Sequence, residues 1–229
     1  MDPLAGTPWS SPQTVAGFAQ SAPNARLMAL AAAERRRIAG GRVLDVGCGA
    51  GRNLVPLARL GWDAVGVDLS WPMLVAAAGR LRAESGSGAG HLAQAPLDAL
   101  PIRDDSVDVV VAHGIWNLAR SSLEFRQGVR EAARVARPGA LLFVFTFSRH
   151  TISSTSRPVD GEAFVFTEFS GQPQCFLTEA QLIDEFGAAG FAPDPEVPLV
   201  ELNVPAPGAL PSGAPVIFEG GFRRRRSTP

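Results

Sequence analysis

The sequence contains no lysine, and all 21 of its basic residues are arginines. A phosphate-binding P-loop ends in Gly-Lys followed by Ser or Thr, so the lack of lysine excludes that class of nucleotide-binding protein. Two cysteines are present, Cys48 and Cys175, and their wide separation forms neither a metal-ligand pattern nor a disulfide framework. We therefore expect no metal site and a reducing, cytoplasmic location.

The sequence also lacks long apolar runs, and its net charge is close to zero. No apolar run reaches membrane-spanning length, and the first residues lack the basic-then-apolar order of a signal peptide. The formal net charge of −1 gives no overall attraction to nucleic acid. A chain of 229 residues can form one sizeable α/β domain, whereas two halves would each be marginal. We expect one soluble domain over residues 1–229, with no membrane partner.

Glycines are concentrated where a short apolar segment ends. Residues 42–46 are typical of a buried parallel strand, and Gly47, Gly49 and Gly51 follow at alternate positions. Such glycines accept positive φ and let the backbone approach a ligand closely. A second apolar run, residues 64–67, ends at Asp68, where a carboxylate at a strand tip can accept two ribose hydroxyls. The pattern indicates a nucleoside-containing ligand.

The residue types around the glycines narrow the ligand further. A dinucleotide site uses Gly-x-Gly-x-x-Gly, whereas this chain has Gly-x-Gly-x-Gly preceded by Asp45 inside the strand. That carboxylate would repel a pyrophosphate and favour a cation. S-adenosylmethionine fits both features, because it carries an ammonium and a sulfonium but no phosphate.

Four segments resemble the motifs of the class I S-adenosylmethionine-dependent methyltransferases, in the order and spacing of that family. They are residues 44–51, 66–70, 100–110 and 134–140, with the sequences LDVGCGAG, GVDLS, LPIRDDSVDVV and RVARPGA. The resemblance implies a Rossmann-like, seven-stranded, mostly parallel α/β sheet with helices on both faces and an antiparallel last strand between the fifth and sixth. It also implies S-adenosylmethionine as cofactor and S-adenosylhomocysteine as product.

Local signals predict further elements around these motifs. Asn24 can cap a helix that runs through Arg37, and Thr178 with Gln181 forms the capping box of a late helix. Segment 85–90 is predicted as a flexible connection, and 149–177 as an insertion with an extra strand or flap at 164–169. Five more strands, at 91–95, 107–112, 141–147, 197–204 and 214–222, would complete the seven.

The resemblance assigns cofactor contacts to matching positions. Asp45 is expected near the ammonium, Asp68 at the ribose and Leu69 on the adenine face. Pro96 stands where many relatives have an acidic residue, so adenine recognition is expected to depend on the Leu97 N–H, with Asp98 as a further candidate. The full expected set is Asp45, Gly47, Cys48, Gly49, Gly51, Asp68, Leu69, Met73, Leu97 and His113, although Cys48 and Met73 also fit plain structural roles.

Residues beyond the fourth and fifth strands are candidates for chemistry. Methyl transfer is an in-line displacement that mainly requires positioning, and a base is needed only for a protonated nucleophile. His113 is the candidate catalytic base, with packing beside the cofactor as the alternative. Segments 1–38 and 149–177 are expected to form a lid and a substrate cap. Candidate substrate contacts are Trp9, Phe18, Trp116, Asn117, Arg149 and His150, although Trp116 also fits a core position and Arg149 a surface one.

The sequence favours methyl transfer to an O, N or S atom of a small molecule, because the expected cap segments are aromatic and neutral. The Asn-Pro-Pro-aromatic signature of adenine- and glutamine-N-methyltransferases is missing, so nucleic acid is not expected as a partner. Two alternatives stay open. One is an RNA or protein methyltransferase that uses the run Arg223 to Arg226, which otherwise is a solvated tail. The other is a cofactor-binding protein without methyl transfer. Monomer and homodimer are both compatible with the sequence.

Overall fold

The computed structural model describes residues 2–84, 90–205 and 214–226. The strands are β1 Arg42–Val46, β2 Asp63–Asp68, β3 Gly90–Gln94, β4 Val107–His113, β5 Ala136–Phe147, β6 Val165–Phe166, β7 Gln174–Cys175, β8 Phe191–Pro193, β9 Val200–Leu202 and β10 Ile217–Arg224. The α-helices are α1 Pro12–Gln20, α2 Ala25–Ile38, α3 Leu54–Arg59, α4 Trp71–Glu84, α5 Ser122–Val135 and α6 Glu179–Ala188. The predicted connection at 85–90 lies, apart from Gly90, outside the described residues.

The main sheet has the order β3-β2-β1-β4-β5-β10-β8, with β9 also paired to β10. The first five strands of this order are parallel, and β10 runs antiparallel to both β5 and β8. The prediction of a mostly parallel α/β sheet with an antiparallel last strand beside the fifth is therefore confirmed. This order leaves the carboxyl ends of β1, β2 and β4 together at one edge.

The described residues form eight strands in this sheet, one more than the seven that the sequence predicted. The missed strand is β8, which is three residues long, ends in a proline and pairs with residues 222–224 of β10. The segment predicted as the sixth strand contains β9 instead, which pairs with residues 217–219 at the other end of β10. Two short strands thus share one edge of β10, and neither gives the alternating apolar pattern of a longer strand.

The hydrophobic core lies in two clusters on the two faces of the sheet, one beneath α5 and α6 and the other beneath α2, α3 and α4. Side chains alternate between the faces along each strand. Val43 packs in the second cluster, so Asp45 points to that same face, as His113 does after Val109 and Val111. The polar side chains of Asp45 and His113 therefore lie on this face, near the carboxyl ends of β1 and β4.

The helix starts follow the predicted caps. The Asn24 side chain accepts a hydrogen bond from the Leu27 N–H (2.8 Å) at the start of α2. Thr178 and Gln181 form both hydrogen bonds of a capping box at the start of α6. These side chains satisfy N–H groups that have no partner within the helix.

The arginine run is not a frayed tail at its first two positions, which belong to β10. Arg223 forms ion pairs of 2.6 Å with Glu34 and with Asp194, both of which are almost fully buried. Arg224 donates to the carbonyls of Ala133 and Gly190. Buried carboxylates need a partner of opposite charge, and these arginines are used inside the fold.

The insertion at 149–177 holds a two-stranded ribbon, β6 with β7, in place of the predicted longer strand. Its aromatic residues pack together, with Phe176 stacked on Phe147 and edge-on to Phe166 and Phe169. Among the described residues, no helix is both long and apolar enough to cross a membrane. The described part of the chain also contains no cluster of His, Cys, Asp and Glu that could hold a metal ion.

Candidate functional site

The turn after β1 brings its backbone close to neighbouring strands. Gly47, Gly49 and Gly51 have φ angles of +70°, +53° and +80°, which glycine adopts without strain. The N–H groups of Gly47 and Cys48 both donate to the Val67 carbonyl at 2.7 and 3.0 Å. A Cβ added at Gly47 would lie 2.7 Å from the Ile115 side chain. The turn is therefore fixed against β2 and leaves no room for a side chain at its first glycine.

Asp68, at the tip of β2, is held by that turn. Its carboxylate accepts one hydrogen bond from the Gly49 N–H and one from the Ser70 N–H, each 2.8 Å long. Burial raises the pKa of Asp68, and these backbone donors oppose the rise. Each carboxylate oxygen keeps a free lone pair, so the group can accept two further donors in a fixed orientation.

Asp45 is the most unusual residue of the site. It is 2% exposed, and its Oδ2 atom has no hydrogen-bond partner among the described residues. Burial raises its pKa to about 7, while the positive charge of Arg52 opposes that rise. A buried acceptor without a donor is costly unless a ligand supplies one. A ligand with an ammonium group fits this position.

Arg52 is a site residue that sequence reasoning missed. It directly follows the third glycine, and its Nη2 lies 2.7 Å from Nδ1 of His113. Burial lowers the pKa of Arg52, and the nearby Asp45 raises it. Its position after the last glycine, where the chain turns into α3, was the available signal. The guanidinium can bind a carboxylate through two parallel hydrogen bonds.

His113 ends β4 at the same edge. Its ring stacks on Phe145 with a centroid distance of 4.1 Å and an interplanar angle of 12°. Burial and the positive charge of Arg52 lower its pKa to about 4, so the imidazole is neutral at pH 7. A Cβ added at the next residue, Gly114, would meet nothing within 4 Å. There is thus open space beside the backbone directly after His113, at the edge where the strands end.

The N-terminal segment is tied to this edge by polar contacts. The Asn24 side chain donates to Glu219 on β10 at 2.6 Å and lies 3.4 Å from Nε2 of His113. Arg26 donates to the Glu219 carbonyl (3.0 Å) and pairs with its carboxylate at 3.4 Å. Glu219 is almost fully buried. The start of α2 is therefore fixed to the sheet beside His113.

The aromatic residues of the N-terminal segment lie at the glycine turn. The rings of Trp9 and Phe18 meet edge-on at 5.9 Å, and the Trp9 carbonyl accepts a hydrogen bond from Ser70. A Cβ added at Gly49 would lie 3.6 Å from Phe18 and 3.9 Å from Met73 Sδ. Trp9 and Phe18, predicted as substrate contacts, thus stand on the side of the turn and Asp68, while Met73 is buried beneath it.

Other predicted cofactor contacts have identifiable surroundings. Cys48 is buried, and its sulfur fills the space above Gly66 in β2, so it serves as a small packing residue in the turn. The Leu69 carbonyl accepts a hydrogen bond from the Gln94 side chain at 2.9 Å. The Leu97 side chain lies against Gly128 of α5, where an added Cβ would come within 2.3 Å.

Trp116 and Asn117 do not face the crevice. Trp116 is 1% exposed and meets the rings of Phe125 and Phe186 edge-on at 6.2 and 5.3 Å. Asn117 is also buried, with its Oδ1 unpaired in the described part of the chain. The structure gives Trp116 the core position that the sequence left open, because the 3-10 turn 116–118 packs beneath α5 and α6.

Arg149 and His150 already have partners within the protein. The Arg149 guanidinium donates to the carbonyls of residues 152, 153, 154 and 156 and lies 4.8 Å from the centre of the Phe166 ring. His150 Nδ1 lies 2.7 Å from Glu201, which also accepts a hydrogen bond from Ser148. That Arg149 holds a substrate carboxylate stays a prediction, and in this structure its donors organise the loop at 152–156.

Comparisons with known proteins agree with this geometry. Residues 44–144 match the family model described as a methyltransferase domain. A ubiquinone biosynthesis O-methyltransferase of Azorhizobium caulinodans is 30% identical over 68% of this chain and 60% of its own length. A ubiquinone/menaquinone biosynthesis C-methyltransferase UbiE of Geobacter sulfurreducens is 38% identical over 48% of this chain and 43% of its own. The chain therefore spans less than two thirds of these relatives.

Solved structures extend the likeness over most of the fold. A Burkholderia thailandensis 1,6-didemethyltoxoflavin-N1-methyltransferase, solved with its substrate and S-adenosylhomocysteine, has a TM-score of 0.65. The match covers 87% of this chain and 78% of that one at 16% identity, so it is a likeness of fold. Residues 44–144 therefore match a methyltransferase domain, and the chain shares the fold of this methyltransferase.

Proposed function

We propose that this protein transfers a methyl group from S-adenosylmethionine to a small-molecule acceptor with an O, N or S nucleophile. The observation that carries the proposal is Asp45, a buried carboxylate two residues before the glycine turn, whose Oδ2 has no hydrogen-bond donor among the described residues. The names of the similar proteins refer to small molecules, namely quinones and 1,6-didemethyltoxoflavin. These names support a small-molecule acceptor.

The cofactor contacts follow from charge. Asp45 would accept a hydrogen bond from the ammonium of the cofactor, and Arg52 would donate to its carboxylate. Each charged group at the amino acid end of the cofactor would then be paired with an opposite charge. Asp68, held by the Gly49 and Ser70 N–H groups, would accept the ribose hydroxyls. The turn formed by Gly47, Cys48, Gly49 and Gly51, with Phe18 and Met73 packed beside Gly49, would enclose the same end.

The adenine end has fewer polar partners. Pro96 offers neither a side-chain acceptor nor an N–H donor, so the proposal assigns adenine recognition to the Leu97 N–H and to packing by Leu69. Two anchors, Asp45 and Asp68, remain at the other end of the cofactor. We expect micromolar affinity.

The acceptor would enter beside His113 and Gly114, where the strand tip is open. The cofactor supplies a methyl group already activated by the sulfonium. The protein's part is to hold the nucleophile in line and keep water out. His113 is the proposed base for acceptors that are protonated at working pH. The N-terminal segment 1–38 is the proposed lid, and 149–177 the proposed cap.

The two alternatives have less support. Methylation of RNA or protein relied on a free arginine run, but Arg223 and Arg224 are occupied by Glu34, Asp194 and two carbonyls. Cofactor binding without methyl transfer is separated from the proposal by the experiment below. The two cysteines are free and buried, which fits the proposed reducing, cytoplasmic location.

The test incubates the protein with S-adenosylmethionine and a panel of phenols, thiols and amines, and measures S-adenosylhomocysteine by mass spectrometry. We expect acceptor-dependent product that falls strongly in Asp68→Asn at S-adenosylmethionine concentrations below saturation. Asp63→Asn, at the exposed start of the same strand, is the matched control and should keep activity. Cofactor binding without product from any acceptor class would favour the binding-only alternative. No cofactor binding at all would overturn the proposal.

A further inference from the structure

Both ring nitrogens of His113 face hydrogen-bond donors. Arg52 Nη2 lies 2.7 Å from Nδ1, and Asn24 Nδ2 lies 3.4 Å from Nε2. The orientation of the Asn24 amide is fixed by its other bonds, since its oxygen accepts from the Leu27 N–H and its nitrogen donates to Glu219. Two donors therefore approach one imidazole, and Arg52 Nη2, although closest to Nδ1, also lies 3.4 Å from Nε2.

A neutral imidazole has one lone pair available for hydrogen bonding, and an imidazolium has none. If the ring accepts at Nδ1 from Arg52, which is the shorter contact, the neutral imidazole carries its proton on Nε2. No nitrogen of the ring is then free to accept a proton. Burial and the charge of Arg52, which lower the pKa of His113 to about 4, act in the same direction. In this arrangement the proposed base is blocked.

The block depends on the position of one cation. Arg52 reaches His113 from the turn before α3, and Asp45 on β1 is the carboxylate that acts on Arg52. On the other side, Glu219 of β10 is neutralised by Arg26 and faces His113 through the uncharged Asn24. The stacked Phe145 of β5 is uncharged. Arg52 is therefore the charged group whose movement changes the state of the ring.

We propose that Arg52 is a positioning residue shared between His113 and the carboxylate of bound S-adenosylmethionine, so that cofactor binding withdraws the guanidinium from Nδ1 and unblocks the ring. This inference rests on the proposed function. In the transfer step, the acceptor atom forms a bond to the methyl carbon, the carbon–sulfur electron pair stays on sulfur, and the acceptor proton passes to Nδ1. His113 thus becomes a base only in the cofactor complex.

The test is an NMR pH titration of the His113 ring with and without S-adenosylhomocysteine. The chain has three histidines, and His91 and His150 are exposed, so His91→Gln with His150→Gln leaves His113 as the single ring signal. We expect S-adenosylhomocysteine to raise the midpoint by about 1 pH unit or more, because the Arg52 charge is neutralised by the bound carboxylate. This readout does not depend on turnover.

Variants of Arg52 separate coupling from simple packing. In Arg52→Gln, the free protein should titrate at higher pH than wild type, and saturating S-adenosylhomocysteine should no longer raise the midpoint. Arg52→Lys should retain part of the effect. Arg59→Gln, at the end of the helix α3 that follows Arg52 and with a side chain that is 62% exposed, is the matched control and should behave as wild type.

The outcomes distinguish the coupling from the proposed function. If S-adenosylhomocysteine binds and the His113 midpoint stays or falls, the coupling is overturned while the proposed function stands. If S-adenosylhomocysteine does not bind to the wild type, the proposed function fails together with the coupling. A rise in wild type that persists unchanged in Arg52→Gln would also overturn the assignment to Arg52.

Discussion

The two sides of the crevice differ in how their polar groups are used. On the side of β1 and β2, Asp45 has an unpaired oxygen and Asp68 is oriented by two backbone N–H groups. On the side of the insertion, Arg149 gives its donors to four carbonyls, and His150 pairs with Glu201. The carboxylates of the first side can still accept hydrogen bonds from a ligand. The polar groups of the second side are already paired with groups of the protein itself.

This difference separates the two roles that we propose for the sides: the first binds the cofactor, and the second helps to select the acceptor. Backbone groups at strand ends are fixed by the sheet, so the acidic side chains beside them are preorganised for a ligand. The insertion is held by its own side chains, and its proposed role is to form a wall of the acceptor site. We therefore expect changes on the first side to abolish cofactor binding and changes on the second to leave it intact.

The largest effect is expected for Gly47→Ala. The new Cβ would lie 2.7 Å from Ile115 at a φ of +70°, and a strained residue of this kind costs about 1–3 kcal/mol. We predict loss of measurable S-adenosylhomocysteine binding by calorimetry and a lower melting temperature. Gly79→Ala, in α4 with nothing within 4 Å, is the control and should keep both. Wild-type affinity in Gly47→Ala would contradict the role given to the turn.

The second largest effect is expected for Asp68→Asn. Its affinity for S-adenosylhomocysteine should fall by about tenfold or more, since charged acceptors form stronger hydrogen bonds than amides. The fold should persist, because the amide oxygen can still accept from a backbone N–H. Titration calorimetry measures the change, with Asp63→Asn as the control on the same strand. Equal affinities for the two variants would remove Asp68 from the cofactor site.

The same contrast explains what the sequence could predict. The bounds of β1 and the place of Asp68 at the tip of β2 were predicted, because both depend on local patterns of apolar residues and glycine. The sequence could not predict the surroundings of Trp116 and Arg149, because their partners come from α5, α6 and the folded loop at 152–156. Arg52 was missed since its contact with His113 joins two elements distant in sequence.

A moderate effect confined to the insertion is expected for Arg149→Gln. Loss of its carbonyl contacts should increase hydrogen exchange at 149–156, while the affinity for S-adenosylhomocysteine should change less than about twofold, as for separate sites. Arg157→Gln, exposed in the same segment, serves as the control. A large loss of cofactor affinity in Arg149→Gln would show that the two sides are not independent.

The smallest effect is expected for Arg225→Ala combined with Arg226→Ala. Both side chains are exposed, and surface substitutions of this kind stay within about ±0.5 kcal/mol. Acceptor-dependent product formation should equal that of the wild type. A large loss of activity in this double variant, with an unchanged melting temperature, would instead support the alternative of RNA or protein methylation.

The most direct test of the central claim is the pH dependence of S-adenosylhomocysteine affinity in wild type and Asp45→Asn. Burial raises the pKa of Asp45 to about 7, and only its ionised form pairs with the ligand's ammonium. Calorimetry from about pH 8.5 down to about pH 5.5 should show affinity falling below neutrality, towards about tenfold per unit, as the carboxylate takes up a proton. Asp45→Asn should bind weakly with a flat profile over that range. A flat wild-type profile, or an Asp45→Asn affinity equal to that of wild type at the highest pH, would contradict the account.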